Sequence, residues 1–265
     1  MSTEPGAARP CVLLVEDDPS VARFVAMALE TLPVSVQNCA SVEAALAWLE
    51  CHRAALVITD LMMPGESGAG LLRRLHATPA LAAGARIVVL SAGLDHLVRQ
   101  DLASWGAWRA LSKPVPVAEL EACVREALAD VLSPPAAALA DREPTHAKGQ
   151  PVGGGRPDAA TITAEEAAIQ EYFAGNAELF HAYREGCIAQ FVHDAVQGDL
   201  ALEIGDLPAL RRLCHSLASV LRTLGRPADG LLARTIEIAA RDHDVSAARH
   251  HWASLRRRLA FPGRE

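Results

Sequence analysis

The stretch Leu56-Val57-Ile58-Thr59-Asp60-Leu61-Met62-Met63-Pro64, closed by Gly68, decides how this chain is read. Four apolar or β-branched residues in a row suit a strand covered on both faces, and the run ends abruptly in a carboxylate. In open α/β sheets ligands gather just beyond the carboxyl ends of such strands. Asp60 therefore stands where chemistry is expected.

The same pattern recurs on either side. Cys11 to Val15 is a second apolar run, and it breaks into Glu16, Asp17 and Asp18 before Pro19. Asp18 followed by proline predicts an N-cap, with a helix to about Thr31 that places Val21, Phe24, Val25, Ala28 and Leu29 on one face. Val34 to Asn38 reads as strand, and Ser41, with Glu43 in the first turn, opens a helix to about Cys51. Beyond Asp60 the pattern gives a helix from about Ser67 to Ala77 and a strand from Arg86 to Leu90 ending at Ser91. A short strand near Ala110 and Leu111 then ends at Lys113 and Pro114, and a helix runs from Val117 to Leu132. This alternation predicts an α/β domain over residues 10–132, built on a doubly wound, parallel, five-stranded sheet.

Singly, an acidic residue after a strand is ordinary turn chemistry. Here polar groups follow four of the five strands: Glu16 and Asp17, Asp60, Ser91, and Lys113. Clustered carboxylates need a cation between them, and an oxygen-rich pocket that keeps some waters suits Mg²⁺. The set resembles the response regulator receiver family, whose phosphorylated aspartate is followed by Leu, Met, Met, Pro and by a glycine eight positions on. The resemblance implies a flavodoxin-like fold with Asp60 as the phosphoacceptor. It also implies that Asp17, Asp60 and the backbone carbonyl of Met62 ligate Mg²⁺ directly and that Glu16 acts through water. Lys113 would pair with phosphoryl oxygens, the Ser91 hydroxyl would bond one of them, and the Lys113–Pro114 peptide would be cis. The chain departs from the family at Ala110, where Tyr or Phe is usual.

Periodicity disappears over residues 133–160, where Pro134, Pro135, Pro144, Pro151, Gly153 to Gly155 and Pro157 predict a flexible linker. Residues 161–262 carry helical patterns alone. Breaks at Gly175 and Asn176, Gly198 to Gly205, Gly225 to Pro227 and His243 to Val245 predict an all-α bundle of one short and four longer helices. In the helix Asp206 to Leu224, the core stripe is Leu207, Leu210, Cys214, Leu217, Leu221 and Leu224. At about 100° per residue, His215 points away from that stripe toward a polar face with Arg211, Arg212, Ser219 and Arg222. An exposed imidazole beside guanidinium groups is what a phosphoryl carrier requires. Gly205, Asp206, His215, Leu217, Arg222, Leu224 and Gly225 resemble the histidine phosphotransfer (HPt) family, which implies His215 as a phosphocarrier. Ala218 and Ser219 replace that family's usual lysine and glycine.

Composition bounds the rest. Of 265 residues 51% are hydrophobic, ample for packed cores, and only 4% are aromatic. A formal charge of -7 argues against a nucleic-acid coat. No apolar run is long enough for a membrane span, and Met1 to Pro10 lacks the apolar core of a secretory signal. Six cysteines without paired spacing read as reduced core thiols. No glycine-rich nucleotide loop occurs, so an autokinase, and enzymatic activity in general, is not expected. The combined expectation is a cytoplasmic two-component phosphorelay protein. A sensor histidine kinase or hybrid kinase would act upstream and a response regulator receiver downstream. The rival expectation is a receiver-gated helical bundle that docks a partner or DNA without phosphate on His215.

Overall fold

The structure is a computed structural model and describes residues 9–92, 96–132 and 163–260. The expected linker, 133–160, lies outside the described residues, as do the outermost residues of the bundle span 161–262. Among the described residues no helix is long and apolar enough to cross a membrane.

Strands β1 (Cys11–Val15), β2 (Ser35–Cys39), β3 (Leu56–Asp60), β4 (Arg86–Ser91) and β5 (Arg109–Ser112) form one sheet in the order β2-β1-β3-β4-β5. Every pairing is parallel. Around it run α1 (Pro19–Ala28), α2 (Val42–Cys51), α3 (Gly68–Ala77), the single turn α4 (Pro79–Ala82), α5 (His96–Ser104), α6 (Val117–Ala127) and α7 (Ala129–Leu132). Successive strand residues point to opposite faces. Val12, Leu14, Leu56 and Ile58 accordingly pack with α1 and α6, while Leu13, Val15 and Val57 pack with α2, α3 and α5. Asp18 caps α1 as its sequence predicts, accepting from the backbone N–H groups of Ser20 and Val21. Two boundaries differ from expectation. The first helix stops at Ala28 rather than near Thr31, and the helix expected from Val117 to Leu132 is interrupted at Leu128, whose side chain is fully buried.

The second half is helical throughout its described residues: α8 (Ala164–Tyr172), α9 (Ala177–Ile204), α10 (Leu207–Thr223), α11 (Pro227–Arg241) and α12 (Val245–Ala260). Thr163 and Glu166 make a reciprocal capping box at the start of α8. The break expected from Gly198 is absent, and α9 runs on to a left-handed Gly205. Gly198 serves packing instead. A Cβ there would stand 2.0 Å from the Trp252 ring, so the missing side chain is what lets α12 lie close against α9.

The two halves are packed together. Phe24, on α1 of the sheet domain, stands 5.7 Å from Phe173 and 5.4 Å from Tyr183, both edge-on. Phe173 in turn meets Phe180 at 5.3 Å. These rings belong to one apolar cluster that continues from the sheet into the bundle core. Such edge-to-face pairs add about 0.5–1.5 kcal/mol each beyond area burial. Phe24 is the sheet domain's contribution to an aromatic nest that the bundle otherwise builds alone. Phe24→Ala is expected to cost about 3–5 kcal/mol by chemical denaturation. It should also separate the halves and increase the radius of gyration in solution scattering; an unchanged radius would show that the docking does not depend on this ring.

Candidate functional site

Register brings the strand ends level. Val15 pairs with Thr59, Asp60 with Leu90, and Ser91 with Ser112. The residues that follow or close these strands, Glu16 and Asp17, Asp60, Ser91 and Lys113, therefore converge on one edge. Glu16, Asp60, Ser91 and Lys113 are all buried, and Asp17 is half-buried. The Lys113–Pro114 bond is cis. Gly68 sits so close that a Cβ would fall 1.9 Å from the Asp60 carbonyl oxygen, which gives the glycine eight positions after Asp60 a steric reason.

Lys113 organises the charges. Its Nζ donates to Glu16 Oε2 at 2.6 Å and lies 3.0 Å from Asp60 Oδ2. The other Glu16 oxygen accepts from the Asp18 N–H, and Asp60 Oδ1 accepts from the Leu61 N–H at 2.6 Å. Burial opposes a charged lysine, but the Asp60 and Glu16 carboxylates more than offset this and hold its pKa above the ordinary value. Burial also raises Glu16 to about 8, against the pull of Lys113, and the charge of Asp60 adds to the rise. Asp17 is pushed up to about 6 by burial and then by Asp60.

Three carboxyl groups therefore crowd one ammonium, and the raised Glu16 and Asp17 mark a place where they do not all ionise readily without a further cation. Glu16, Asp17 and Asp60 each offer an oxygen, all within 4.8 Å of one another. Asp17 Oδ1 is buried without a hydrogen-bond partner among the described residues. A hard divalent cation with oxygen preference, such as Mg²⁺, fits that donor set. Met62, expected to lend its carbonyl, is half-buried two residues past Asp60.

His215 is not brought to solvent. The expectation of an exposed imidazole is corrected: the residue is 5% exposed, and Ser219, placed on the same polar face, is 6% exposed. Helix phase alone could not show that α11 lies along this flank of α10, or that the sheet domain covers the next turn. His215 Nδ1 lies 3.0 Å from Glu237 Oε1 on α11, and Arg234 donates to the other Glu237 oxygen. One turn on, Ser219, Val220 and Thr223 line a cavity with Val21, Phe24, Lys113, Pro114 and Val115 of the sheet domain. Glu237 was missed in the sequence. Its signal was a carboxylate flanking an apolar stripe of Ala233, Ile236 and Ala240, all buried.

At Ala110 the side chain is half-buried within the second apolar cluster, where Trp105 also packs. Trp108 is stacked by Arg86 and Arg109 at 5.0 and 4.5 Å, a packing role. Of the cysteines, Cys39, Cys123, Cys187 and Cys214 are buried, Cys11 is half-buried and Cys51 is exposed; none forms a disulfide.

Known proteins resemble this half of the chain. The family model of the response regulator receiver domain matches residues 12–125. The chain is 31% identical over 130 residues to the DNA-binding transcriptional regulator NtrC of Azospirillum brasilense, covering 49% of this chain and 26% of that protein. It is 32% identical over 117 residues to the KDP operon transcriptional regulatory protein KdpE of Escherichia coli (strain K12), covering 44% of this chain and 50% of that one. The match thus spans half or less of these relatives. Among solved structures, a putative response regulator from Chloroflexus aurantiacus J-10-fl is 30% identical, covering 46% of this chain and 98% of its own, with a TM-score of 0.43. With the five-stranded parallel sheet and the acidic edge in place, the segment 12–125 is a response regulator receiver domain.

Proposed function

We propose that this protein is a phosphorelay carrier in which the receiver takes a phosphoryl group on Asp60 and the docked bundle carries one on His215. A histidine kinase or a small phosphodonor supplies the group to the receiver. Asp60 is the carboxylate nucleophile; Lys113 neutralises charge on the transferred group, and Ser91 contributes its hydroxyl from the neighbouring strand end. Mg²⁺ held by Asp17, Asp60 and the Met62 carbonyl, with Glu16 acting through water, would balance the remaining negative charge. The carrying observation for the second site is the docking itself. Ser219, Val220 and Thr223, on the helix that bears His215, line one cavity with Lys113, Pro114 and Val115 of the same chain. The transfer partner of His215 is then Asp60 in cis, and a downstream receiver is served when the halves part. Such a carrier relays the group and does not generate it.

A second reading is favoured by the burial of His215. A buried imidazole paired with a glutamate is also a sound contact between two helices. The bundle would then be a docking or DNA-binding module gated by Asp60, a role in keeping with the transcriptional regulators among the relatives. Against DNA, two of three consecutive arginines on α12, Arg256 and Arg258, are already paired with Asp199 and Asp229.

Three outcomes test these readings. With Mg²⁺ and a small phosphodonor, Asp60→Asn should lose all base-labile phosphate; retained label would falsify the acceptor assignment. In the wild type, acid-labile phosphate should appear on histidine at a rate independent of protein concentration, and His215→Gln should abolish it while keeping label on Asp60. Base-labile label alone in the wild type selects the second reading. Finally, protons compete with Mg²⁺ for Asp17. Because its carboxyl is raised to about 6, Mg²⁺ affinity should be full above that pH and fall as pH drops through it. The fall approaches about tenfold per pH unit for one competing proton. Calorimetric titration checks this, and affinity that stays flat from pH 5 to 7 sinks it.

A further inference from the structure

We infer that the outward face of α9 is a self-association surface, which pairs antiparallel with α9 of a second copy of this chain about a two-fold axis passing near Gly198. The helix is apolar on two sides. One side is turned to the bundle, where Phe191, Gly198, Ala201 and Leu202 are buried. The other carries Val192, Val196, Leu200 and Ile204, which are 67%, 62%, 52% and 67% exposed among the described residues. A helix that is apolar all round calls for neighbours all round. Single exposed aliphatic residues are ordinary, but four in one row make a patch of roughly 400 Å², large enough to mark an interaction site. The contact with the receiver lies elsewhere on α9, nearer its start, where Tyr183 meets Phe24 and Gly186 lies under Arg23. The outward face is therefore open while the two halves are docked.

The row itself identifies its occupant. Its residues recur at every fourth position, so they form one ridge of the kind that interdigitates with the same ridge of another helix at a crossing angle of about −50°. Laid antiparallel on a copy of itself, the ridge sets Val192 against Ile204 of the second copy and Val196 against Leu200 of the second copy. The same pairing brings His193, on one flank, beside Glu203 of the second copy, and symmetry makes that contact twice. Both side chains are exposed within one copy. A parallel pairing would oppose Glu203 to Glu203 instead, so charge selects the antiparallel arrangement. The stretch 133–162 offers no matching row, because its large apolar residues are Leu139, Val152 and Ile162, far apart in the sequence. With both ridges and their flanks covered, the pairing removes roughly 1,200 Å² from water, the low end for a specific dimer. Monomer and dimer should therefore exchange at micromolar concentrations.

Sedimentation equilibrium of the full-length protein over a concentration series tests the pairing. The expected result is a reversible monomer–dimer equilibrium with a Kd on the order of 10 µM. Combining Val196→Glu with Leu200→Glu should weaken it by at least about tenfold, since four carboxylates would then be driven into the apolar seam. Both positions are exposed within one copy, so the thermal midpoint of the dilute, monomeric protein should stay unchanged in that variant. Charge reversal tests the register. His193→Glu or Glu203→Lys alone should weaken pairing by up to about tenfold, as two contacts lose their attraction or turn repulsive. The two together should restore it, because the new carboxylate and the new ammonium face each other across the axis. A wild type that stays monomeric up to about 500 µM overturns the proposal, since an interface of this size would be populated there. Dimerisation that survives Val196→Glu with Leu200→Glu overturns it as well, because the contact must then lie on another face. Weakening by both charge reversals without rescue in the double variant overturns the antiparallel register.

Discussion

A buried ammonium set among buried carboxylates is the constraint on which the receiver half depends. Lys113 reaches Glu16 from the end of the outermost strand and meets Asp60 at the centre of the sheet. An unpaired buried charge costs several kcal/mol, so the ends of β1, β3 and β5 must stay level for the contacts to exist. The parallel register supplies that alignment, and the glycine at position 68 lets α3 begin against the Asp60 carbonyl. What the lysine leaves unbalanced is as informative as what it satisfies. Three crowded carboxyl groups, with an orphaned Asp17 oxygen, are a demand for a cation.

The bundle is attached to this edge through apolar surface. Phe24 enters the nest of Phe173, Phe180 and Tyr183, and the residues around it join the two cores into one cluster. The tightest polar contacts at the two sites lie within each half: Lys113 with Glu16 in the receiver, and His215 with Glu237 in the bundle. The interface rests mainly on apolar contact, while the polar network at each of these places is built within its own half.

The receiver was legible because its signals are local. Apolar runs that end in carboxylates, an Asp-Pro cap and a glycine at a fixed offset each report on a few adjacent residues. The bundle's helices were legible for the same reason: the breaks at Gly175 and Asn176 and at Gly225 fall between successive helices. Gly198 misled because a glycine's effect depends on what lies opposite. There it faces Trp252, fifty-four positions away, and the close approach of two helices outweighs its low helix propensity. His215 misled in a related way. Helix phase tells which side of α10 it occupies, but only tertiary packing tells that α11 brings Glu237 to that side. The joining of the two halves through Phe24 had no local signal beyond one aromatic on an apolar face.

The helix α1 belongs to both halves of the molecule at once. It starts one residue after Asp18, at the rim of the acidic edge, and six residues beyond that cap it bears Phe24, about 9 Å along the axis at 1.5 Å per residue. One helix thus stands at the rim of the edge and in the seat of the bundle. Coupled equilibria are reciprocal. Whatever factor a bound ion applies to docking, docking applies the same factor to the binding of that ion.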